Sequence, residues 1–216
     1  MRFVVIGAGG FSKEVADLLR DLGHEPVAFF DDHTPDRVHS TTGLPVIADP
    51  AALPAHDAAC MAIGDSAVRE RVAKRLAGTP MPPLVHPTAT VSPAATLGEG
   101  TLVMHNSVVS ASAVVGEFCI LNVGVYVAHD CTVGAFTHLA AGVKLGGASH
   151  VGRSCLCGTG SILLPGISVG SGVTVGAGAV VHRDVRDDVT AAGVPARVLP
   201  KGGREVPSAK LGGPRG

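Results

Sequence analysis

Residues 133–156 read VGAFTH, LAAGVK, LGGASH and VGRSCL when the chain is divided every six residues. Each unit opens with valine or leucine and carries a small or β-branched residue at its fifth position. A period of six fits neither the alternation of a simple strand nor the roughly 3.6 residues per turn of an α-helix. It indicates short strands joined by turns, in an architecture where successive units stack on one another.

The repeat continues without insertion from Val85 to Arg186, which makes seventeen hexads. Position 1 is valine or leucine in sixteen of them, and Cys157 is the exception. We expect positions 1 and 5 to point inward, three hexads to close one triangular coil, and the array to form between five and six coils. Glycine is frequent at position 2, where we expect it to permit unusual backbone dihedral angles.

The composition excludes several classes of protein. The chain has 216 residues and a formal net charge of −1, so the surface of a nucleic-acid or anionic-membrane binder is not expected. No apolar run reaches the roughly 18 residues of a membrane span, and the start MRFVVIGAGG does not read as a signal peptide. The five cysteines are odd in number, and Cys155 and Cys157 fill repeat positions, so we expect neither a disulfide framework nor a metal site there. A reduced, cytoplasmic protein is the expectation.

The first eighty residues alternate between strand and helix patterns. Strands are predicted at RFVVI (2–6), PVAFFDD (26–32) and DAACMAIGD (57–65). Helices are predicted after the GAGG turn, ending near Gly23, and at AVRERVAKRLAG (67–78). This alternation predicts a small Rossmann-like α/β domain with a parallel sheet.

The proline-rich TPMPP at 79–83 marks the predicted boundary between two domains. We expect an α/β domain over 1–83, a β-helix over 84–200 and an unpacked tail over 201–216.

The pair Gly7-x-Gly9 follows the first predicted strand and precedes a helix, as glycines do in phosphate-binding turns. Ser12 replaces the third glycine of the dinucleotide fingerprint, whereas Asp31 lies near the spacing expected for a ribose-binding acid. A nucleotide-diphosphate ligand, a nicotinamide cofactor and glycines that only allow close strand-helix packing all remain open. The first is favoured, and the nicotinamide cofactor is disfavoured because no oxidoreductase domain follows.

A second motif lies inside the repeat, at 127–142, which read VAHDCTVGAFTHLAAG. His129 and Asp130 occupy positions 3 and 4 of their hexad, in an expected turn that allows direct contact between them. Histidine can remove a proton near neutral pH because its ordinary pKa is about 6.5, and a neighbouring carboxylate stabilises its protonated form.

GAGGFSKEV, FFDD, AIGDS, the hexad array and AGVPARVL together resemble the sialic acid O-acetyltransferase-like sugar acyltransferases. The pattern is most similar to that of the N-acetyltransferases of UDP-4-amino-sugars (the bacillosamine pathway) and their dTDP-sugar relatives. The resemblance covers residues 1 to about 200, and its most specific part is His-Asp-Cys-x-Val-Gly-x-Phe-x-His at 129–138. It implies a left-handed parallel β-helix and a homotrimer with active sites between subunits. It also implies that acetyl-CoA lies between two β-helices and that the nucleotide-sugar lies on the N-terminal domain.

The same resemblance implies roles for individual residues. His129 would be the general base, with Asp130 beside it, while His138 and the main-chain amide of Gly147 would lie near the thioester of acetyl-CoA. The implied acceptor-binding residues are Gly9, Gly10, Asp31, Asp32, Gly64, Asp65 and Asn122. Phe11 stands where the UDP-sugar relatives carry histidine, and Asp65 where asparagine is common, so the nucleobase and the sugar stay open.

The sequence therefore predicts an acetyl-CoA-dependent N-acetyltransferase of a UDP- or dTDP-linked amino-sugar, without a metal. An O-acetyltransferase of the sialic acid type is the main alternative, because the same base can serve a hydroxyl. A non-catalytic nucleotide-sugar-binding protein is a second alternative. A zinc enzyme of the γ-carbonic anhydrase type is disfavoured, because the histidines of the array lack the close spacing of that site.

Overall fold

The computed structural model describes residues 1–33 and 37–200 of the chain. The predicted tail at 201–216 lies outside the described residues. The N-terminal elements are β1 (Arg2–Ile6), α1 (Phe11–Asp21), β2 (Glu25–Phe30), β3 (Val46–Ile47), a 3-10 helix (Pro50–Ala52), β4 (Ala58–Met61) and α2 (Ser66–Arg75).

The four strands pair in parallel in the order β3-β2-β1-β4, which confirms the predicted α/β fold. Buried apolar residues such as Phe3, Val5, Leu19 and Phe29 join the sheet to α1. The strands are shorter than predicted, because β2 ends at Phe30 and β4 ends at Met61. The polar residues that follow both strands therefore lie at the carboxyl edge of the sheet, where ligands of parallel α/β sheets bind.

From Leu84 onward the chain forms three parallel sheets that wrap into a left-handed parallel β-helix, as predicted. Ile120 pairs with His138, and this offset of eighteen residues corresponds to three hexads in each coil. Most strands contain only two residues, the sixth of one hexad and the first of the next.

The first face consists of β5 (Leu84–Val85), β8 (Leu102–Val103), β11 (Ile120–Leu121), β14 (His138–Leu139), β17 (Leu156–Cys157), β20 (Thr174–Val175), β22 (Thr190–Ala192) and the antiparallel β23 (Arg197–Val198). The second face consists of β6 (Thr90–Val91), β9 (Val108–Val109), β12 (Tyr126–Val127), β15 (Lys144–Leu145), β18 (Ile162–Leu163) and β21 (Val180–Val181). The third face consists of β7 (Thr96–Leu97), β10 (Val114–Val115), β13 (Thr132–Val133), β16 (His150–Val151) and β19 (Ser168–Val169).

The interior of the β-helix is built from positions 1 and 5 of the hexads, as predicted. Val127 and Leu139 at position 1 and Cys131 and Cys155 at position 5 are fully buried in one continuous core. All five cysteines are buried free thiols. Stacking of these small residues explains how the chain fills a core with no tryptophan and few aromatic side chains.

The expected role of glycine at position 2 is wrong. A Cβ atom at Gly134 would lie 2.5 Å from the main-chain nitrogen of Arg153, and one at Gly146 would lie 2.6 Å from that of Pro165. Glycine is thus required at these two positions because the next coil approaches closely. The left-handed backbone conformation occurs at position 4 instead, including Asp130 at φ 59° and Phe136 at φ 60°.

The last coil departs from the repeat. Val169 pairs with Val185 and Thr174 with Thr190, which are offsets of sixteen rather than eighteen residues. Val185, at position 5 of the seventeenth hexad, occupies the place that unbroken periodicity would give to Asp187. A charged residue cannot fill that interior place, so the coil closes two residues early.

The α/β part packs against the first face of the β-helix and the corner that precedes it. Leu84 and Leu102 lie in one buried cluster with Phe3, and Phe136 lies in another with Val4 and Ile6. This packing brings the carboxyl edge of the N-terminal sheet close to β14. In the described part of the chain, neither helix has the length and apolar character that crossing a bilayer requires.

Candidate active site

The turn between β12 and β13 presents His129 and Asp130 at the surface, with side chains 66% and 59% exposed. The Nδ1 atom of His129 lies 2.7 Å from Oδ2 of Asp130, so the contact that the sequence allowed is present. A carboxylate can only accept, so Nδ1 carries the hydrogen and Nε2 of the neutral ring is left with a free lone pair. The left-handed conformation of Asp130, which aspartate tolerates better than most residues, directs its carboxylate back to the ring.

Gly147 lies directly beside this pair, at the same corner of the next coil. The amide of Ala148 donates to the carbonyl of His129 at 2.9 Å, which fixes the register of the two turns. A Cβ atom at Gly147 would lie 2.7 Å from both Cε1 and Nε2 of His129, so only glycine leaves room for this ring position. The amide of Gly147 donates to no acceptor among the described residues, as is usual at position 3 of these coils. We call His129, Asp130 and Gly147 the His129 corner.

His138 lies in a contrasting environment, on β14 of the first face. Its Nδ1 atom lies 3.4 Å from the carbonyl oxygen of Gly64, and its ring lies 6.4 Å from that of Phe11 between centroids. The pKa of His138 is lowered to about 4, mainly by burial and also by the positive charge of Arg69, while the bond to Gly64 opposes both. The ring is therefore neutral at physiological pH. We call Phe11, Gly64 and His138 the His138 seam.

Asn122 lies next to this seam, at the corner between the first and second faces. Its main-chain amide donates to the carbonyl of Leu139 at 2.9 Å, which places it one residue from His138 on the neighbouring coil. Its side-chain oxygen accepts from the amide of Val123 at 2.7 Å.

A cavity of about 300 Å³ opens at the carboxyl edge of the N-terminal sheet. Gly9, Asp31 and Asp32 line it, together with Arg71 and Arg75 of α2. The two oxygens of Asp31 accept from the amides of Ala8 and His33, each at 2.9 Å, and so hold the glycine turn in place. Asp32 accepts from Arg75 at 2.9 Å, and this hydrogen bond lowers the pKa of its carboxyl group.

Two further predicted acceptor residues lie at the starts of helices. Gly10 is the residue before α1, and Asp65 caps α2 by accepting from the amide of Val68 at 2.8 Å. Both are exposed. Each stands at a helix N-terminus, where main-chain amides favour anionic groups.

Within residues 1–33 and 37–200, no group of three or more histidine, cysteine, aspartate or glutamate side chains is arranged to hold a metal ion.

Comparison with known proteins places these features in a family. Residues 2–76 match the family model of the PglD N-terminal domain. The acetyltransferase domain of PglB from Neisseria gonorrhoeae FA1090 is 39% identical, covers 92% of this chain and 99% of its own, and superposes with a TM-score of 0.85. The chain belongs to the hexapeptide-repeat sugar acyltransferases.

Two other solved structures are similar to this chain over most of its length. A histidine-to-asparagine variant of perosamine N-acetyltransferase from Caulobacter crescentus, in complex with CoA and GDP-perosamine, is 37% identical over 93% of this chain and 97% of its own, with a TM-score of 0.87. WeeI from Acinetobacter baumannii AYE is 31% identical over 92% of this chain and 100% of its own, with a TM-score of 0.82.

Curated relatives match over much shorter segments. A serine acetyltransferase from Salmonella typhimurium is 47% identical over 53 residues, which are 24% of this chain and 19% of that protein. This chain thus spans about a fifth of the length of that relative.

Within this acyltransferase, the predicted site residues fall into three groups. The His129 corner unites three of them, the His138 seam joins Gly64 to His138 beside Asn122, and the sheet-edge cavity collects Gly9, Asp31 and Asp32. The His129 corner lies between the second and third faces and the His138 seam lies on the first face, whereas the cavity is lined by residues of the α/β part. Sequence reasoning missed Arg69, a buried arginine bonded to the carbonyl of Gly64 at 2.9 Å, because a charged helix such as AVRERVAKR is typical of a solvated surface.

Proposed function

We propose that this chain transfers the acetyl group of acetyl-CoA to the amine of a nucleotide-linked amino-sugar. The observation that carries the proposal is the His129–Asp130 contact of 2.7 Å, in which Nε2 of an exposed ring is left with a free lone pair beside Gly147. Family members with 37–39% identity that bind acetyl-CoA, or CoA together with GDP-perosamine, support the same class of reaction.

In this reaction the neutral sugar amine attacks the thioester carbonyl carbon. Nε2 of His129 takes the proton that the amine loses as the C–N bond forms, and Asp130 stabilises the resulting imidazolium. The developing oxyanion accepts a hydrogen bond from a main-chain amide, for which Gly147 is the candidate. Collapse of the tetrahedral intermediate breaks the C–S bond, and the proton on His129 passes to the departing thiolate of CoA.

We propose the sheet-edge cavity as the nucleotide site. The glycine turn at Gly7–Gly9 and the cationic side chains of Arg71 and Arg75 suit a diphosphate, and the cavity of about 300 Å³ suits a nucleoside-sized group. UDP and dTDP are the nucleotides that the sequence resemblance favours, and the Caulobacter relative adds GDP to the set worth testing.

We also propose that the working enzyme is a homotrimer. In one chain the His129 corner lies between the second and third faces of the β-helix, whereas the cavity is lined by residues of the α/β part, which packs on the first face. A second copy that brings its His129 corner toward the first face of its neighbour would complete the site.

The test is the release of free CoA from acetyl-CoA in the presence of GDP-, UDP- or dTDP-linked 4-amino-sugars, with sialic acid as a hydroxyl acceptor. We expect turnover on at least one amino-sugar, and its loss in His129→Ala but not in the control His150→Ala, which removes an exposed histidine of the third face. Turnover with sialic acid alone would instead identify an O-acetyltransferase. Binding of nucleotide-sugars without CoA release would contradict catalysis.

A further inference from the structure

Arg69 is the largest fully buried side chain of the described residues, with 1% of its surface exposed. It lies on α2, where the α/β part meets the β-helix. Within residues 1–33 and 37–200 no carboxylate forms an ion pair with it. Burial lowers its pKa to about 10, so it is still charged at neutral pH. A buried cation is costly unless its hydrogen bonds are satisfied, which makes its partners informative.

Those partners are four main-chain carbonyls from two parts of the molecule. Nη1 donates to Ile63 at 2.7 Å and to Gly64 at 2.9 Å. Nε donates to Phe118 at 2.8 Å and Nη2 to Phe136 at 2.6 Å. Arg69 thus ties the loop after β4 to the corner that leads into the first face of the β-helix.

Phe118 and Phe136 are equivalent corner residues of successive coils. Both have left-handed backbone conformations, and their rings stack with centroids 5.3 Å apart. The carbonyl of Phe136 lies two residues before His138, so one end of Arg69 fixes the strand that carries this histidine. The other end fixes the Gly64 carbonyl that the histidine contacts.

A carbonyl oxygen has two lone pairs, and that of Gly64 receives hydrogen bonds from both Arg69 and His138. Because the carbonyl only accepts, Nδ1 of His138 must carry the hydrogen. The Nε2 atom is then a bare acceptor. It is buried and has no hydrogen-bond partner among the described residues, an arrangement that proteins avoid unless a ligand or water supplies the partner.

We infer that Arg69 is a positioning residue, which holds Gly64 against His138 so that Nε2 is presented as a fixed, neutral acceptor for an N–H or O–H group of a substrate. The inference rests on the proposed function for the identity of that group. An amide N–H of the pantetheine arm of acetyl-CoA and a hydroxyl of the sugar offer the same chemistry. A bare Nε2 cannot donate to the thioester carbonyl, which leaves that task to the main-chain amide at the His129 corner.

The first test needs no turnover. Histidine labelled with ¹⁵N, observed through its long-range ¹H–¹⁵N correlations at pH 7, reports which ring nitrogen carries the hydrogen. We expect the Nδ1–H form for His138, assigned by its absence in His138→Phe. The Nε2–H form or an imidazolium at this pH would overturn the inference, whatever the enzyme acetylates.

The second test concerns Arg69 itself. In Arg69→Met we expect a mixture of His138 tautomers and an increase in KM of about tenfold for one substrate, with a smaller change in kcat. The substrate whose KM rises, acetyl-CoA or the nucleotide-sugar, identifies the donor group. Glu70→Gln is the control, because Glu70 is the next residue of α2 and bonds Arg153 of the β-helix at 3.1 Å without contacting the seam.

A purely structural role for Arg69 would lower stability but leave the tautomer of His138 and the KM unchanged, and that result would overturn the inference. A double variant that combines Arg69→Met with His138→Phe separates the positioning role from the structural role further. If Arg69 acts through His138, Arg69→Met causes no further rise in KM in a His138→Phe background, whereas additive increases in KM contradict the inference. If Arg69→Met does not fold, Arg69→Lys keeps the charge and fewer of the four bonds, and the same tautomer and KM measurements apply to it.

Discussion

His129 and His138 lie half a coil apart in the same β-helix, yet their surroundings are opposite. His129 is exposed at a corner, and its Nδ1 atom lies 2.7 Å from a carboxylate oxygen of Asp130. His138 is half-buried beside a carbonyl and near a buried arginine, and both burial and that positive charge oppose protonation of its ring. The first environment suits an imidazole that must change charge during a reaction, and the second suits one that must not.

The difference teaches that position in the repeat decides chemistry more than residue type does. Position 3 lies at a corner, where a neighbouring position-4 residue in the left-handed conformation can turn its side chain back. Position 6 lies on a face, and at His138 on the first face the α/β part covers it. The predictions that follow test whether the two histidines are divided in this way.

The largest effect is expected from removal of the exposed ring. His129→Ala should lower kcat roughly thousandfold, within the range of a lost general base, and leave the melting temperature nearly unchanged because the side chain is exposed. Steady-state CoA release and thermal unfolding measure the two. A loss no greater than that of His150→Ala would remove His129 from the reaction.

The half-buried ring of His138 should instead affect how the free energy of unfolding depends on pH. An unfolded histidine titrates near 6.5, whereas the pKa of His138 in the folded protein is about 4, so the unfolded state takes up the proton first. The contribution of the neutral His138 ring to the stability of the folded state is therefore complete above about pH 6.5 and is lost as the pH falls toward about 4. Between pH 7 and pH 4.5 the free energy of unfolding should fall by about 2–3 kcal/mol more in wild type than in His138→Phe.

Urea unfolding at a fixed protein concentration measures this difference, and His150→Ala controls for the loss of one titratable group. If the free energy of unfolding has the same pH dependence in wild type and in His138→Phe, the neutral His138 ring does not contribute to stability. That result would contradict the difference between His129 and His138.

The carboxylate partner comes next in size. Asp130→Asn keeps the left-handed conformation, which asparagine also tolerates, but removes the charge that stabilises an imidazolium. We expect kcat to fall roughly thirtyfold with little change in KM. Asp188→Asn is the matched control, because Asp188 is also an exposed aspartate at φ 55° but lies away from His129. Equal kinetics in the two variants would separate Asp130 from the base.

The smallest predicted effect concerns Gly147, which lies against the ring of His129. Gly147→Ala places a methyl group 2.7 Å from Nε2, which displaces the ring and should lower kcat about tenfold. Gly160→Ala is the opposite control, since a methyl there meets open space but must adopt φ 69°. It should cost about 1 kcal/mol of stability and leave kcat intact. Equal kcat values in the two variants would show that catalysis does not require the position that the His129 ring takes beside Gly147.

Much of this architecture could be predicted from the sequence because the repeat is regular. The hexad period predicted the coil, its inward positions and the use of cysteines as core residues. With eighteen residues per coil, it also places Gly147 above His129 and Phe136 above Phe118. A regular repeat allows contacts between distant residues to be predicted, because every hexad packs against equivalent hexads of the neighbouring coils.

The features that the sequence did not predict lie where the repeat ends and where the α/β part packs against the β-helix. The early closure at Val185 follows from the inability of Asp187 to enter the core, and periodicity alone does not reveal it. The buried Arg69 and the shielding of His138 arise from the packing of α2 on a corner of the β-helix. Nothing local in AVRERVAKR distinguishes the one arginine that is buried from its exposed neighbours, because its four carbonyl partners come from distant parts of the chain.

The most direct test of this division is to measure kcat and KM for both substrates in His129→Ala and His138→Phe in the same CoA-release assay. We predict that His129→Ala loses kcat with KM nearly unchanged. We also predict that His138→Phe keeps most of its kcat but raises KM for one of the two substrates. If both variants lose kcat alike with unchanged KM, or if His138→Phe behaves as wild type, the two histidines are not divided as proposed.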